Sequence, residues 1–279
     1  MQICRSITEC RAAVARLRKS GETVGLVPTM GFLHAGHMTL VENARKHADH
    51  VVVTIFVNPA QFGDSADLDS YPRDEARDLA MLEAGGVDLV LIPEVQDIYP
   101  AGDETVVETT RMANMLHGVV RPGHFRGVTT VVARLFNIVQ PDFACFGEKD
   151  YQQLQVIKRM TRDLAFPIEI VGVATVREDD GVAMSSRNVR LAPKDRAAAV
   201  VLSRALNAAE ALPDKSVETL RNSIKTTIQA EPRATLRGLD IVEDVTLNAI
   251  SGALISPVAV MISVEFGGIL LIDQRVIQP

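Results

Sequence analysis

The sequence predicts an α/β protein, with a parallel-sheet domain over residues 1–173 and a smaller α+β domain over residues 174–279. Three observations carry this. Continuous apolar, β-branched runs recur in the first part, the pattern of strands buried on both faces. Amphipathic helix-length stretches separate them, which implies βαβ units and right-handed crossovers. After about residue 173 the texture changes to two helices followed by three strand-like runs.

The first strand is expected at residues 24–27, running at once into Pro28-Thr-Met-Gly-Phe-Leu-His34-Ala-Gly36-His37 and a helix over 36–48. Strand, glycine-bearing loop, helix is an arrangement that turns free backbone N–H groups and the positive end of a helix dipole toward an anion. His34 and His37, three apart around the helix start, can face the same phosphates, and Gly36 lets a nucleotide approach the backbone closely. A lone histidine at such a turn is more often a cap than a ligand. With six His and eighteen Gly in 279 residues, however, His-x-Gly-His arises by chance only ~0.008 times per chain. That rarity favours a functional loop.

The second strand, 51–57, is followed by Asn58-Pro-Ala-Gln61-Phe62, whose neutral amides suit the hydroxyls and carboxylates of a small polar ligand. A helix over 73–84 and a strand over 87–92 come next, then Arg121-Pro-Gly-His-Phe-Arg-Gly127, a cationic loop plausible as a cleft wall, and a helix over 128–139. The strand at 143–146 leads into Gly147-Glu148-Lys149-Asp150-Tyr151-Gln152-Gln153 and a helix over 151–164. There an ammonium can reach a polyphosphate, with Gln153 on the same helical face as Lys149. A strand over 168–176 and an acidic loop precede Met184-Ser185-Ser186-Arg187, two hydroxyls and a guanidinium suited to a departing pyrophosphate. Ordinary turns and a charged first helical turn are the plain alternatives for these clusters taken singly. Four of the five start just after an inferred strand, so a parallel sheet brings them to one rim. The second domain is expected as helices over 193–212 and 216–230 with strands at 239–242, 258–264 and 269–272.

Composition limits the rest. Apolar residues are 47% and charged residues 23%, ordinary for a globular chain, and the net charge of -6 supplies no basic stripe for nucleic acid. Cys4, Cys10 and Cys145 form no Cys-x-x-Cys pair and read as reduced thiols. The apolar stretch 257–272 is interrupted by Glu265 and a glycine pair, so no membrane span is expected, nor is a signal peptide, and the expected location is cytoplasmic.

These segments, in this order and spacing and together with Arg121 to Gly127 and Met184-Ser-Ser-Arg-Asn188, resemble the pantothenate synthetase (pantoate–β-alanine ligase) family nearly end to end. The resemblance implies a Rossmann-like domain with a smaller C-terminal lid domain, a homodimer, and a two-step reaction. Mg2+-ATP and pantoate would give pantoyl adenylate and pyrophosphate; β-alanine would then displace AMP to give pantothenate. Carried over by motif, Met30, Gly31, Phe32, Leu33, His34, Ala35, Gly36 and His37 would hold ATP, as would Gly147, Glu148, Lys149, Asp150, Val176, Met184, Ser185, Ser186 and Arg187. His37 would be the proton donor. Gln61 and Gln153 would bind pantoate, with Asn58 beside them, and Gln61 would also meet β-alanine. Ala35, His117 and Arg190 depart from the family pattern, at positions with no proposed catalytic group.

Since the substrate carboxylate is the nucleophile, the protein's task is positioning and charge stabilisation. His34, His37, Lys149, Ser186 and Arg187 are the expected sources. Residues 63–70, with Asp64, Asp67 and Asp69, are expected to close over ligand. Asp78 is one candidate Mg2+ ligand among several. Two other readings share the His-x-Gly-His loop: a nucleotidylyltransferase using another small acceptor, and a silent nucleotide-binding regulator.

Overall fold

The structure is a computed structural model that describes residues 1–63 and 68–279. Asp64 and Asp67 of the expected closing segment lie outside the described residues. The chain forms two compact units, Met1–Gly147 with Val156–Val173, and Glu148–Gln155 with Ala174–Pro279.

In the first unit the apolar runs become β2 (Val24–Thr29), β3 (His50–Ile55), β4 (Leu89–Leu91), β5 (Phe143–Gly147) and β6 (Glu169–Val173), with β1 (Gln2–Cys4) added at one edge. All pair in parallel, in the order β1-β4-β3-β2-β5-β6. After β2 the chain builds β3 and β4 outward on one side, then returns to place β5 on the other. The sheet therefore has its topological switch point between β2 and β5, and a crevice of this kind lies outside the carboxyl ends of the strands.

The crossovers are α1 (Ile7–Leu17), α2 (Ala35–His47), α3 (Glu75–Ala84), α4 (His124–Val139) and α5 (Tyr151–Asp163). α2 ends in Arg45, Lys46 and His47, cations that suit the negative end of the helix dipole. Its inner face, Leu40, Val41 and Ala44, packs with Val27, Val51, Val53, Leu82 and Val90 in one buried cluster. α4 is buried along most of its length, from Phe125 to Val139, as a helix apolar almost all round should be.

Several boundaries differ from expectation for identifiable reasons. α4 starts at His124, not 128, because Gly123 (φ 80°) supplies the left-handed turn just before it; half of the expected Arg121–Gly127 loop is thus helix. β6 stops at Val173, before Val176. Lys149 sits in a 3-10 turn, Glu148–Asp150, ahead of α5, so it does not share an α-helical face with Gln153. β1 and α1 lie outside the expected elements, as do the single turns of helix at Val95–Ile98 and His117–Val120; α1 opens with a reciprocal Ser6/Glu9 capping box.

The second unit holds an antiparallel sheet of β7 (Thr235–Glu243), β8 (Val258–Phe266) and β9 (Ile269–Ile277), with a bulge in β7 between Leu236 and Gly238. The expected helix over 193–212 is two, α6 (Pro193–Ala198) and α7 (Val201–Glu210). Between them the Leu202 amide bonds Ala199 in an i to i+3 turn, at 3.1 Å, which redirects the axis. α7 and α8 (Val217–Gln229) bury Leu202, Leu206, Leu220, Ile224 and Ile228 against Val260, Ile262, Val264 and Phe266.

Candidate active site

The loop after β2 is built by two left-handed residues, Gly31 (φ 78°) and Phe32 (φ 50°). They turn the Phe32 and Leu33 amides onto Asp78 of α3, each donating to a different carboxylate oxygen at 2.7 Å. Asp78 is 1% exposed, and a carboxylate is tolerated at such depth because these donors replace water. A side chain at residue 31 would be strained by its φ, and its Cβ would lie 3.0 Å from both Asp78 Oδ2 and Ile55 Cγ2. Thr29 Oγ1 accepts the Gly31 amide at 3.2 Å and donates to Thr54 O at 2.7 Å, which ties the loop to the end of β3.

His34 then caps α2. Its backbone is extended (φ -142°, ψ 175°), its Nδ1 accepts the Gly36 amide at 3.1 Å, and its own amide donates to His37 Nδ1 at 3.3 Å. The two rings lie 4.1 Å apart between centroids. Backbone amides only donate, so Nδ1 is the bare nitrogen in each ring and the proton of the neutral imidazole sits on Nε2. Two Nε2–H donors at the positive end of a helix, beside the switch point of a parallel sheet, make an arrangement for binding and polarising a polyanion.

Beyond β3, Asn58 is 1% exposed and uses all four of its hydrogen-bonding valences inside the protein. Oδ1 accepts the Ala60 amide at 3.3 Å and the Tyr99 hydroxyl at 2.7 Å. Nδ2 donates to Gln61 Oε1 at 3.0 Å and to Gly127 O at 3.1 Å. Gln61, half-buried in the turn Pro59–Gln61, directs Nε2 to Met30 Sδ at 3.0 Å, and its backbone carbonyl lies 2.8 Å from His124 Nδ1. α4 can lie against this turn because residue 127 is glycine: a Cβ there would stand 2.3 Å from Ala60 O. Tyr99 is held in turn by Arg134, whose guanidinium lies 4.7 Å over its ring, and burial pushes the phenol up to about 12.

The other expected residues follow β5 and β6 in sequence and belong to the second unit, Gly147 excepted. Lys149 Nζ pairs with Asp150 Oδ2 at 3.1 Å, and Gln153 is half-buried in the first turn of α5. Val176 O accepts the Met184 amide at 2.9 Å and closes a hairpin turned at Gly181 (φ 91°). Arg177 anchors that hairpin through a bidentate pair with buried Asp273, at 2.7 and 2.9 Å. Ser185 Oγ accepts the Arg187 amide at 3.2 Å. Asn188, next in line, ties the segment to Glu178 Oε1 at 2.9 Å and Ala183 O at 3.1 Å. Of the divergent positions, Ala35 and Arg190 are exposed, and His117 lies with its ring 6.4 Å from that of His124.

Sequence reasoning singled out the histidine loop, Gln61, Lys149 and the Ser185–Arg187 segment. It did not find Tyr99 or the amide-clamping role of Asp78. Tyr99 meets Asn58 across 41 positions, and only the fold makes that contact. Among the described residues no group of three His, Cys, Asp or Glu is placed to hold a metal ion, and no helix is long and apolar enough to cross a membrane. Cys4, Cys10 and Cys145 are free and buried, and burial holds the Cys10 thiol at about 12.

Fold and site together define a Rossmann-like α/β protein with two histidines side by side at the start of the helix that follows β2, beside the switch point of its sheet. Known proteins agree with that class and narrow it. A model of the family described as Pantoate-beta-alanine ligase matches residues 2–276, and the chain belongs to that family. It is 49% identical to the pantothenate synthetase of Agrobacterium fabrum, over 99% of this chain and 96% of that protein. The crystal structure of pantothenate synthetase from Thermus thermophilus superposes with a TM-score of 0.94 at 46% identity, covering both chains completely. A pantoate-beta-alanine ligase from Francisella tularensis, solved with beta-gamma ATP and beta-alanine, gives 0.81 at 33% identity, over 99% of this chain and 97% of that one.

Proposed function

We propose that the chain condenses (R)-pantoate with β-alanine at the expense of ATP, through pantoyl adenylate, releasing pyrophosphate and AMP. The observation that carries this reading is the pair of Nε2–H donors that His34 and His37 direct from the start of α2, supported by family membership across the chain.

In the first step a pantoate carboxylate oxygen bonds to the α-phosphorus and the bond to the bridging oxygen of pyrophosphate breaks. Negative charge grows on the leaving phosphates. His34, His37, Lys149, Ser186 and Arg187 are assigned to it as hydrogen-bond donors, with His37 as the proton donor. In the second step the free amine of β-alanine bonds to the acyl carbon, AMP leaves with the carboxyl–phosphate oxygen, and the amine loses a proton. ATP is assigned to Met30 through His37, Gly147 through Asp150, Val176, and Met184 through Arg187. Gln61 and Gln153 take pantoate, and Gln61 also meets β-alanine. Asn58, with its valences filled, places Gln61 without touching substrate.

Mg2+ enters on the nucleotide in this reading. It favours substrate phosphates and its own waters over an all-protein cage, and Asp78, whose two oxygens each hold a loop amide, is assigned to the loop and not to the ion. The protein is further proposed to work in the cytoplasm as a homodimer.

The test is release of pyrophosphate and AMP from Mg2+-ATP and pantoate, with and without β-alanine. Sustained AMP release needing both substrates is the expected result. Nucleotide binding without turnover would move the assignment to a regulator, and nucleotidyl transfer to another acceptor would move it to a nucleotidylyltransferase.

A further inference from the structure

We infer that Tyr99 is a positioning residue that fixes Gln61 as a hydrogen-bond donor toward the acid substrate, an inference that rests on the function proposed above. The argument is one of hydrogen-bond direction. An asparagine amide can be flipped, but two backbone groups decide the orientation of Asn58. The Ala60 amide can only donate, so the atom it meets at 3.3 Å is Oδ1; the Gly127 carbonyl can only accept, so the atom it meets at 3.1 Å is Nδ2.

With Asn58 so fixed, each further bond has one possible sense. The Tyr99 hydroxyl at 2.7 Å must donate to Oδ1, filling its second lone pair. The remaining Nδ2 hydrogen goes to Gln61 Oε1 at 3.0 Å. Gln61 therefore turns its oxygen inward and its Nε2 outward. In the structure Nε2 meets Met30 Sδ at 3.0 Å, and thioether sulfur is a weak acceptor that a carboxylate or hydroxyl oxygen would displace. The site thus asks its ligand for an acceptor and disfavours a donor.

Tyr99 itself is anchored for this task. Arg134 stacks on its ring and is tied to Ile98 O, to Asp103 Oδ2 at 2.5 Å and to Thr105 O at 2.9 Å. The phenol is half-buried, and desolvation pushes its pKa up to about 12, so it remains a donor across the working range of an enzyme.

The test is steady-state kinetics of Tyr99→Phe and Asn58→Asp beside the wild type, with the thermal midpoint and ATP KM as checks on folding. Losing the hydroxyl empties one lone pair of Asn58 Oδ1, so the amide that orients Gln61 is held by the Ala60 and Gly127 backbone groups alone and loosens, and one such bond is worth about fivefold to tenfold. The expected result for Tyr99→Phe is a rise of about that size in the pantoate KM, with the ATP KM within about twofold of wild type. Asn58→Asp sets acceptors against Gly127 O and Gln61 Oε1, and its pantoate KM rises further still. A pantoate KM unchanged in either variant overturns the inference. So does an equal loss for pantoate and ATP, which marks a purely structural tyrosine. Should Tyr99→Phe fail to fold, the split in Asn58→Asp decides by the same criteria. Wild-type protein that turns over while the variants stay flat sinks only the role of Tyr99; wild-type protein that does not turn over sinks the proposed function and this inference with it.

Discussion

His37 Nδ1 accepts the backbone amide of His34 at 3.3 Å, so the side chain assigned to the phosphates also closes the start of α2. The two tasks use different ring atoms and can be separated. Asparagine places its oxygen where histidine has Nδ1 but has nothing at Nε2. His37→Asn is therefore expected to keep the stability of the wild type while adenylate formation falls by about 10²–10³. His37→Ala should lose a similar rate and, in addition, about 1 kcal/mol from the uncapped amide. Pyrophosphate release and urea unfolding, measured on both variants, check the separation; equal stability of the two would contradict it.

The grip of Asp78 on the Phe32 and Leu33 amides predicts a variant that looks conservative and is not. Asn at this position offers one oxygen to two N–H groups and turns its own NH2 on the second. A buried donor set against a donor costs about 2–3 kcal/mol. Asp78→Asn should therefore lower the urea midpoint and raise the ATP KM, because the displaced loop carries His34 and His37. A wild-type midpoint would show that the loop does not depend on the clamp.

Much of the fold was legible because buried parallel strands are plain in sequence: apolar runs such as Val24–Thr29 and His50–Ile55 need no long-range information. The His34–His37 loop was legible for the same reason, being local to one strand-to-helix turn. What escaped is of two kinds. β1 is three residues at a sheet edge, too short for any periodicity. Tyr99, Asp78 and Gly127 act through contacts with distant segments, and their meaning appears only once α3 and α4 are packed. Asn58 shows the limit from the other side. Its amide looked suited to a ligand, and the fold fills every valence with protein.

Gly127 sets the distance between α4 and the turn that carries Gln61. A methyl group there would stand 2.3 Å from Ala60 O and 2.7 Å from the Gln61 amide, and both are backbone atoms that cannot swing aside. Gly127→Ala should push the Pro59–Gln61 turn from its place and break the Asn58 bond to Gly127 O. The expected effect is a drop of about tenfold or more in kcat/KM for pantoate, with nucleotide binding at the proposed His34–His37 site retained. Isothermal titration with a non-hydrolysable ATP analogue, beside turnover, tests both halves. Loss of nucleotide affinity as large as the loss in turnover would place the damage in the whole sheet.

His50 gives the fold a dependence on pH whose sign is fixed by its neighbours. Nε2 lies 3.3 Å from Glu22 Oε2, and Nδ1 lies 3.3 Å from Asp88 Oδ1 without hydrogen-bond alignment. Burial disfavours the charged ring, but the two carboxylates outweigh it and raise the pKa above the ordinary 6.5. A group that holds its proton more tightly in the folded state contributes fully below its unfolded pKa. That contribution fades as the pH climbs through the higher folded value. His50→Gln should therefore cost about 0.5–1 kcal/mol near pH 5.5, as a partly exposed ion pair does, and almost nothing near pH 8.5. Urea unfolding of wild type and variant at the two pH values isolates the term, because every other titrating group cancels in the difference. A deficit that grew toward alkaline pH would mean that His50 is neutral in the folded protein and that the pair with Glu22 and Asp88 contributes nothing.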